Sequence, residues 1–178
     1  MDEVNALHLL QEEMEADEIH LKVNAIHRMK TIITALGTDD TMKKLLPLLE
    51  SYVNTECDEV TFSIAEELGK VYDLLPDRTV FLPLLETLAR SDETVVREQA
   101  TKSLTAISKM LTDAEIQNLF APMVIRLGHS DWFPGRISAC YLFYPAYTRA
   151  GSQKEKLRKK FVELCNEDTP MVRRAGAA

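Results

Sequence analysis

One short phrase recurs five times along this chain, and any fold the chain adopts must repeat with it. The phrase is an Asp at a turn, an apolar residue four positions later, a basic residue at five and a small residue at eight. It reads in full as Asp92…Val96-Arg97…Ala100. It returns as Asp17…Leu21-Lys22…Ala25, as Asp131…Gly135-Arg136…Ala139 and as Asp168…Val172-Arg173…Gly176. A blurred copy runs Cys57-Asp58…Thr61-Phe62…Ala65. Successive copies start 40, 35, 39 and 37 residues apart. A helical period of roughly this size is the signature of stacked helix pairs. In such an array each unit touches only its neighbours and no catalytic pocket is pre-made, so binding is favoured over catalysis.

Each period reads as helix, tight turn, helix. In the first, Val4, Leu7, Leu10 and Met14 recur at helical spacing before Asp17, and Ile19, Val23, Ile26 and Ile33 after it. Gly37 is placed to end that pair. The second period carries Met42, Leu45, Leu49 and Val53, then Val60, Ile64, Leu68 and Val71. The third carries Phe81, Leu84, Leu85 and Leu88, then Val96, Ala100, Leu104, Ile107 and Leu111. Thr112-Asp113-Ala114-Glu115 has the form of a helix start. The expected fold class is all-α: a right-handed alpha-alpha superhelix of the HEAT-repeat kind. The repeats are expected over residues 1–37, 38–76, 77–112, 113–151 and a partial 152–178, as one array. Because the last period is incomplete, a longer parent solenoid is expected.

Prolines support the register. Pro47, Pro83 and Pro122 lie ten, nine and nine residues before the turn position, where the other periods have His8 and Lys159. Pro within a helix normally costs about 3 kcal/mol, so three in matched places predict a first helix that bends around its neighbour. Pro145 predicts a kink or an early end in the fourth period.

Composition removes several function classes. Hydrophobic residues make up 46% and charged residues 28%, a soluble, core-forming balance, while Gly at 6 and Pro at 7 are too few for an all-β chain. No apolar run is long enough to span a bilayer, and the acidic start lacks a secretory n-region. Cys57, Cys140 and Cys165 show neither CxxC spacing nor an even count, so reduced thiols in the cytoplasm or nucleus are expected, with no metal and no cofactor. Residues 1–60 carry 13 acidic and 5 basic side chains, whereas residues 150–178 carry 4 acidic and 7 basic. The net charge of −7 argues against nucleic acid as the principal partner. Catalytic patterns are absent as well. His8, His20, His27 and His129 form no HExxH, no phosphate-binding glycine loop occurs, and Glu66-Glu67 are expected to diverge around a helix.

With the repeats in register, particular segments become specific. They are Asp131-Trp132-Phe133 with Arg136-Ile137-Ser138-Ala139-Cys140, Glu93-Thr94-Val95-Val96-Arg97, Asp168-Thr169-Pro170-Met171-Val172-Arg173-Arg174-Ala175 and Ala65-Glu66-Glu67-Leu68-Gly69. Together they resemble the N-terminal HEAT repeats of the scaffold (A) subunits of protein phosphatase type 2A. The likeness covers essentially the whole chain, with departures at Gly176, where Ala is expected, and at Tyr144-Pro145. The resemblance implies a scaffold without phosphatase chemistry. It implies that these repeats bind interchangeable regulatory (B-type) subunits, while C-terminal repeats absent here bind the catalytic subunit. Other readings of the same fold are a nuclear-transport receptor or other HEAT adaptor, or a HEAT-like lyase.

If the turns align along one edge, Trp132 and Phe133 form an aromatic anchor there. Asp168, Thr169, Pro170 and Met171 occupy the equivalent turn of the fifth repeat, and Arg174 is placed to reach a partner's carboxylate. Glu93 and Thr94, with Glu59, Val60, Glu18 and Ile19, complete the ridge. Asp92, Asp131 and Asp168 are expected to cap helices. The family resemblance implies that Arg97, Arg136 and Arg173 form an Asp–Arg ladder between repeats. Lys154, Lys156, Arg158, Lys159 and Lys160 read as a solvated helix face.

Overall fold

A computed structural model describes residues 3–178, with side chains from Ala6 onward, so the apolar position at Val4 lies outside the described side chains. Helices dominate, and no strand occurs among the described residues. In chain order they are α1 (Glu3–Met14), α2 (Ile19–His27), α3 (Met29–Asp40), α4 (Leu46–Thr55), α5 (Asp58–Val71), α6 (Leu82–Leu88), α7 (Thr94–Ser108), α8 (Asp113–Glu115), α9 (Ala121–Gly128), α10 (Phe133–Tyr147), α11 (Lys154–Cys165) and α12 (Pro170–Ala177).

Two layers result. In the second layer α2 packs on α5, α5 on α7, α7 on α10 and α10 on α12. Each of these helices also packs on the first-layer helix of its own repeat: α1, α4, α6, α9 and α11 in turn. One continuous apolar core runs from Leu10 and Met14 to Val172 and Ala175. The small residue of the recurring phrase serves this packing, since Ala25, Ala65, Ala100 and Ala139 are all fully buried. Leu21, at the apolar position, stays 39% exposed because α2 has a second-layer neighbour on one side only.

The contact between α5 and α7 shows why small residues are needed. The Ser103 hydroxyl donates to the Ala65 carbonyl at 2.7 Å in a buried setting. A Cβ added at Gly69 would lie 2.7 Å from Ser103 Cβ and 3.1 Å from its Cα. Neither atom can swing away. Between the third and fourth repeats the buried Ser138 hydroxyl donates to the Ala89 carbonyl at 2.7 Å, tying α10 to the end of α6.

The prolines are accommodated differently from the expectation. Pro47, Pro83 and Pro122 each lie in the first turn of a regular helix, α4, α6 and α9. Just ahead of each the helical register changes: wide π turns at Thr41–Leu45 and Ile116–Phe120, and a tight 3₁₀ turn at Arg78–Phe81. Pro47 and Pro122 thus lie within longer helical runs in which the wide turn takes up the missing N–H, and Pro83 follows a 3₁₀ turn near its helix start. Pro145 does sit inside α10, which ends two residues later at Tyr147. Gly37 breaks the first repeat from the second with φ 72°, a conformation that favours glycine. The expected long second helix of the first repeat is interrupted at Arg28 (φ −89°, ψ 11°), whose guanidinium pairs with Glu13 of α1. Thr112 and Glu115 form the expected reciprocal cap.

Gly176 also has a local reason. A Cβ there would meet Cys165 Sγ at 2.9 Å and Cys140 Sγ at 3.9 Å, so glycine leaves room for two thiols where alanine would crowd them. Burial pushes the Cys140 thiol up to about 12. Alkylation of the native chain near pH 8 should therefore spare Cys140, with mass mapping showing its modification only after unfolding; labelling in the native state would contradict its burial. For the α5–α7 contact, Gly69→Ala should cost about 1–3 kcal/mol through overpacking, read as a lowered urea midpoint.

Candidate functional site

The five turns that lead into α2, α5, α7, α10 and α12 share one construction. The residues immediately before these helices, Glu18, Cys57, Glu93, Trp132 and Thr169, are extended and make no side-chain capping bond. The aspartates sit one place too early to cap. Asp92, Asp131 and Asp168 are exposed instead, which corrects the capping expectation.

The basic residue of the phrase holds the turn. Arg97 Nη1 donates to the carbonyls of Ser91 and Asp92 at 2.8 and 3.1 Å. Arg136 Nη1 donates to those of Ser130 and Asp131 at 2.7 and 2.8 Å. Arg173 Nη1 donates to those of Glu167 and Asp168 at 2.7 and 2.9 Å. Three guanidiniums thus fold back over their own helix start and satisfy the same two carbonyls. Backbone oxygens, not aspartate side chains, are their partners, so the Asp–Arg ladder is not formed.

Ties between repeats use glutamate. Lys22 Nζ meets Glu56 at 2.9 Å and Arg136 Nε donates to Glu167 Oε2 at 2.9 Å. Both glutamates stand at the turn of the next repeat, just ahead of its second helix. Where the matching place is Ser130, no carboxylate is offered to Arg97. There the Trp132 indole N–H donates to Asp92 Oδ1, joining the third and fourth turns. Arg136 also reaches Thr169 Oγ1 at 3.2 Å, joining the fourth and fifth. These bonds join the first turn to the second and the third to the fifth, and residues of the second and third turns line one groove, so the turns adjoin in one seam.

The predicted anchors lie on that seam. Trp132 is 55% exposed, its rings 4.9 Å from the half-buried Phe133. Glu93, Thr94, Asp168, Pro170, Met171 and Arg174 are exposed, and Thr169 is half-buried. In the second turn Glu59 is exposed, whereas Val60 is buried and unavailable to a partner. Over the first three turns lies an open groove of about 1040 Å³, with apolar walls of Ile19, Val23, Phe62 and Val95 and acids Asp58, Glu59 and Glu93. Sequence reasoning passed over Val95. It stands three places after Asp92 and is 52% exposed, whereas Val60, three places after Cys57, is buried, so spacing from the turn alone does not single it out.

Comparison with known proteins bears on what this seam belongs to. The chain is 41% identical over 181 residues to the beta isoform of the human serine/threonine-protein phosphatase 2A 65 kDa regulatory (A) subunit, a match covering 99% of the chain. It is 38% identical over 99% of its length to the protein phosphatase 2A scaffold subunit of Dictyostelium discoideum. The alpha isoform of the Arabidopsis thaliana 65 kDa regulatory (A) subunit is 39% identical over 96% of the chain. Over its whole length the chain is homologous to phosphatase 2A scaffold subunits. It spans 30% of the length of the human relative. No protein-family model matches it.

Away from the seam of this scaffold homologue, one cluster overturns an expectation. Glu66 and Glu67 do not diverge: Lys70 Nζ lies 3.2 Å from the first and 2.9 Å from the second, and His27 Nδ1 is 3.0 Å from Glu67. Their long side chains converge one helical turn onward. The hydrogen bond to Glu67 holds the Lys70 ammonium above its ordinary pKa. Ligand atoms of His27, Glu66 and Glu67 lie within 4.8 Å of one another, a set able to hold a cation, and the Lys70 ammonium supplies the positive charge there. In the basic cluster Lys154, Lys156, Arg158 and Lys159 are exposed, whereas the Lys160 stem packs over Gly128.

The Arg136 junction makes a sharp prediction. Replacing it by Gln removes charged donors to four acceptors and should cost about 2 kcal/mol. Hydrogen exchange should quicken in α12 while α2 and α5 keep their protection; equal loss in all three would contradict a local tie.

Proposed function

We propose that this chain is a non-catalytic scaffold whose turn seam docks regulatory (B-type) subunits of protein phosphatase 2A in the cytoplasm. The array of repeats over 1–37, 38–76, 77–112, 113–151 and 152–178 acts as one presenting surface. One observation carries the reading: Lys22–Glu56 joins the first two turns, Trp132–Asp92 and Arg136–Thr169 join the third to the fifth, one groove spans the first three, and along them Ile19, Val95, Trp132 and Met171 stay exposed. Exposed aromatic and aliphatic residues on a polar-rimmed ridge are what interface anchors require. The relatives are named as scaffold or 65 kDa regulatory subunits of the phosphatase, and those names supply the assembly to which the ridge is matched.

The scaffold acts by geometry. Rigidly stapled turns fix where each anchor sits, while stacking through neighbours alone leaves the array able to flex as a whole. A docked regulatory protein is thereby held at a set distance from whatever else the scaffold carries. The catalytic subunit is not expected on this seam.

The test is capture of purified regulatory subunits by the immobilised chain. Trp132→Ala and Pro170→Arg should each weaken binding by about tenfold or more, the scale of an interface anchor. Pro170→Arg, at an exposed position, should hold the melting temperature, whereas Trp132→Ala also removes the bond to Asp92 and should lower it slightly while the chain stays folded. Undiminished capture by both variants would refute the seam as the docking surface.

A further inference from the structure

Thr169 precedes Pro170, and no other Ser or Thr in the chain precedes a proline. Its hydroxyl is free of the task usually given to a residue in that place, because it makes no capping bond to α12. The backbone at Thr169 is extended (φ −77°, ψ 112°), as a following proline demands. Pro170 and Met171 beside it are exposed. Thr169 is thus a half-buried, extended residue directly ahead of α12, with the helical Pro170 and Met171 exposed beside it on the seam.

Two guanidiniums bracket it. Arg136 Nη2 donates to Thr169 Oγ1 at 3.2 Å, and Arg173 grips the Glu167 and Asp168 carbonyls at 2.7 and 2.9 Å. Arg136 is itself pinned by the carbonyls of Ser130 and Asp131 and by Glu167 Oε2. The second oxygen of its carboxylate partner, Glu167 Oε1, is buried without a hydrogen-bond partner, so that carboxylate is incompletely paired. A dianion at Thr169 would compete with Glu167 for the Arg136 guanidinium.

We propose that Thr169 is a phosphorylation site for an ATP-dependent proline-directed kinase, with the phosphate captured by Arg136. In the transfer, Thr169 Oγ1 bonds to the γ-phosphorus of ATP as the bond from that phosphorus to the β,γ-bridging oxygen breaks. ADP leaves with that electron pair, and the hydroxyl proton passes to the base of the kinase. The ester carries a charge of about −1.5 to −2 and three acceptor oxygens. Set beside Pro170 and Met171, it places a hydrated dianion on an anchor that must be desolvated to dock. Phosphorylation therefore weakens docking of the regulatory protein at the fifth turn, a consequence that rests on the docking reading above.

The folded chain, treated with ATP and a kinase of the mitogen-activated type, should gain one phosphate, mapped by mass spectrometry to Thr169. Incorporation should vanish in Thr169→Ala and fall in Pro170→Ala. Failure of the folded chain to react, while the unfolded chain does, would overturn the site. Phosphorus NMR should place the second ionisation of the phosphothreonine below its ordinary value of about 6. Arg136→Lys should move it back part-way, and an unshifted value in the parent chain would overturn capture by Arg136. The phosphorylated chain should bind purified regulatory subunits about tenfold more weakly, a difference of about 1.4 kcal/mol. Unchanged binding by the modified chain overturns the regulatory effect alone. No binding by the unmodified chain refutes the docking reading, while the mass and NMR results still decide the site.

Discussion

Close approach of the second-layer helices is the constraint on which everything else hangs. At the α5–α7 crossing no atom fits between Gly69 and the Ser103 backbone, and a buried hydroxyl ties the two helices together. Alanines at the matched position of four repeats are fully buried. Helices that meet this tightly can be neither rotated nor slid by a residue without a clash. That fixes the register of one repeat on the next, and the register brings successive turns to the same edge. The seam of turns is a consequence of core packing.

At the seam itself, charge is spent on backbone order. Arg97, Arg136 and Arg173 each clamp two carbonyls just before a helix start, so the turns are shaped without capping side chains. A guanidinium suits this because its planar fork offers several donors in fixed directions. Held down in this way, the arginines are less available to partners than their number suggests. The seam presents what the clamp leaves outside: an indole, a Pro-Met pair, two aliphatic side chains and a set of acids. Arg174, one place beyond the clamp, remains exposed.

Much of the fold was legible from the residues. The phrase recurring every 35 to 40 residues pointed to the helix pairs, and apolar spacing to their buried faces, because a helix with one dry side must repeat its apolar positions every three or four residues. Gly37 and the Thr112–Glu115 box marked boundaries correctly, since each works through its own local backbone. The site was legible in part: Trp132, Pro170 and Met171 lie on the seam as expected, whereas Val60 is buried. What the chain did not disclose were choices among competing partners. Asp at a turn suggests a cap, but the Arg five places on takes the carbonyls and the Asp falls one residue outside the helix. Glu66 and Glu67 look divergent on a helical wheel, yet flexible stems let both reach Lys70. Prolines nine or ten places before a turn suggest bends, and a local change of helical register absorbs them.

The sequence alone determined that helices pair, where the apolar stripes run and which residues flank each turn, because those follow from spacing and from the local preferences of Gly, Pro and Ala. Only the tertiary structure decided which donor meets which acceptor across repeats: Lys22 with Glu56, Trp132 with Asp92, Arg136 with Glu167 and Thr169. These partners stand 31 to 40 residues apart. At that separation a hydrogen bond exists only when stacking brings both groups within about 3 Å, and nothing in the local chain can specify that distance.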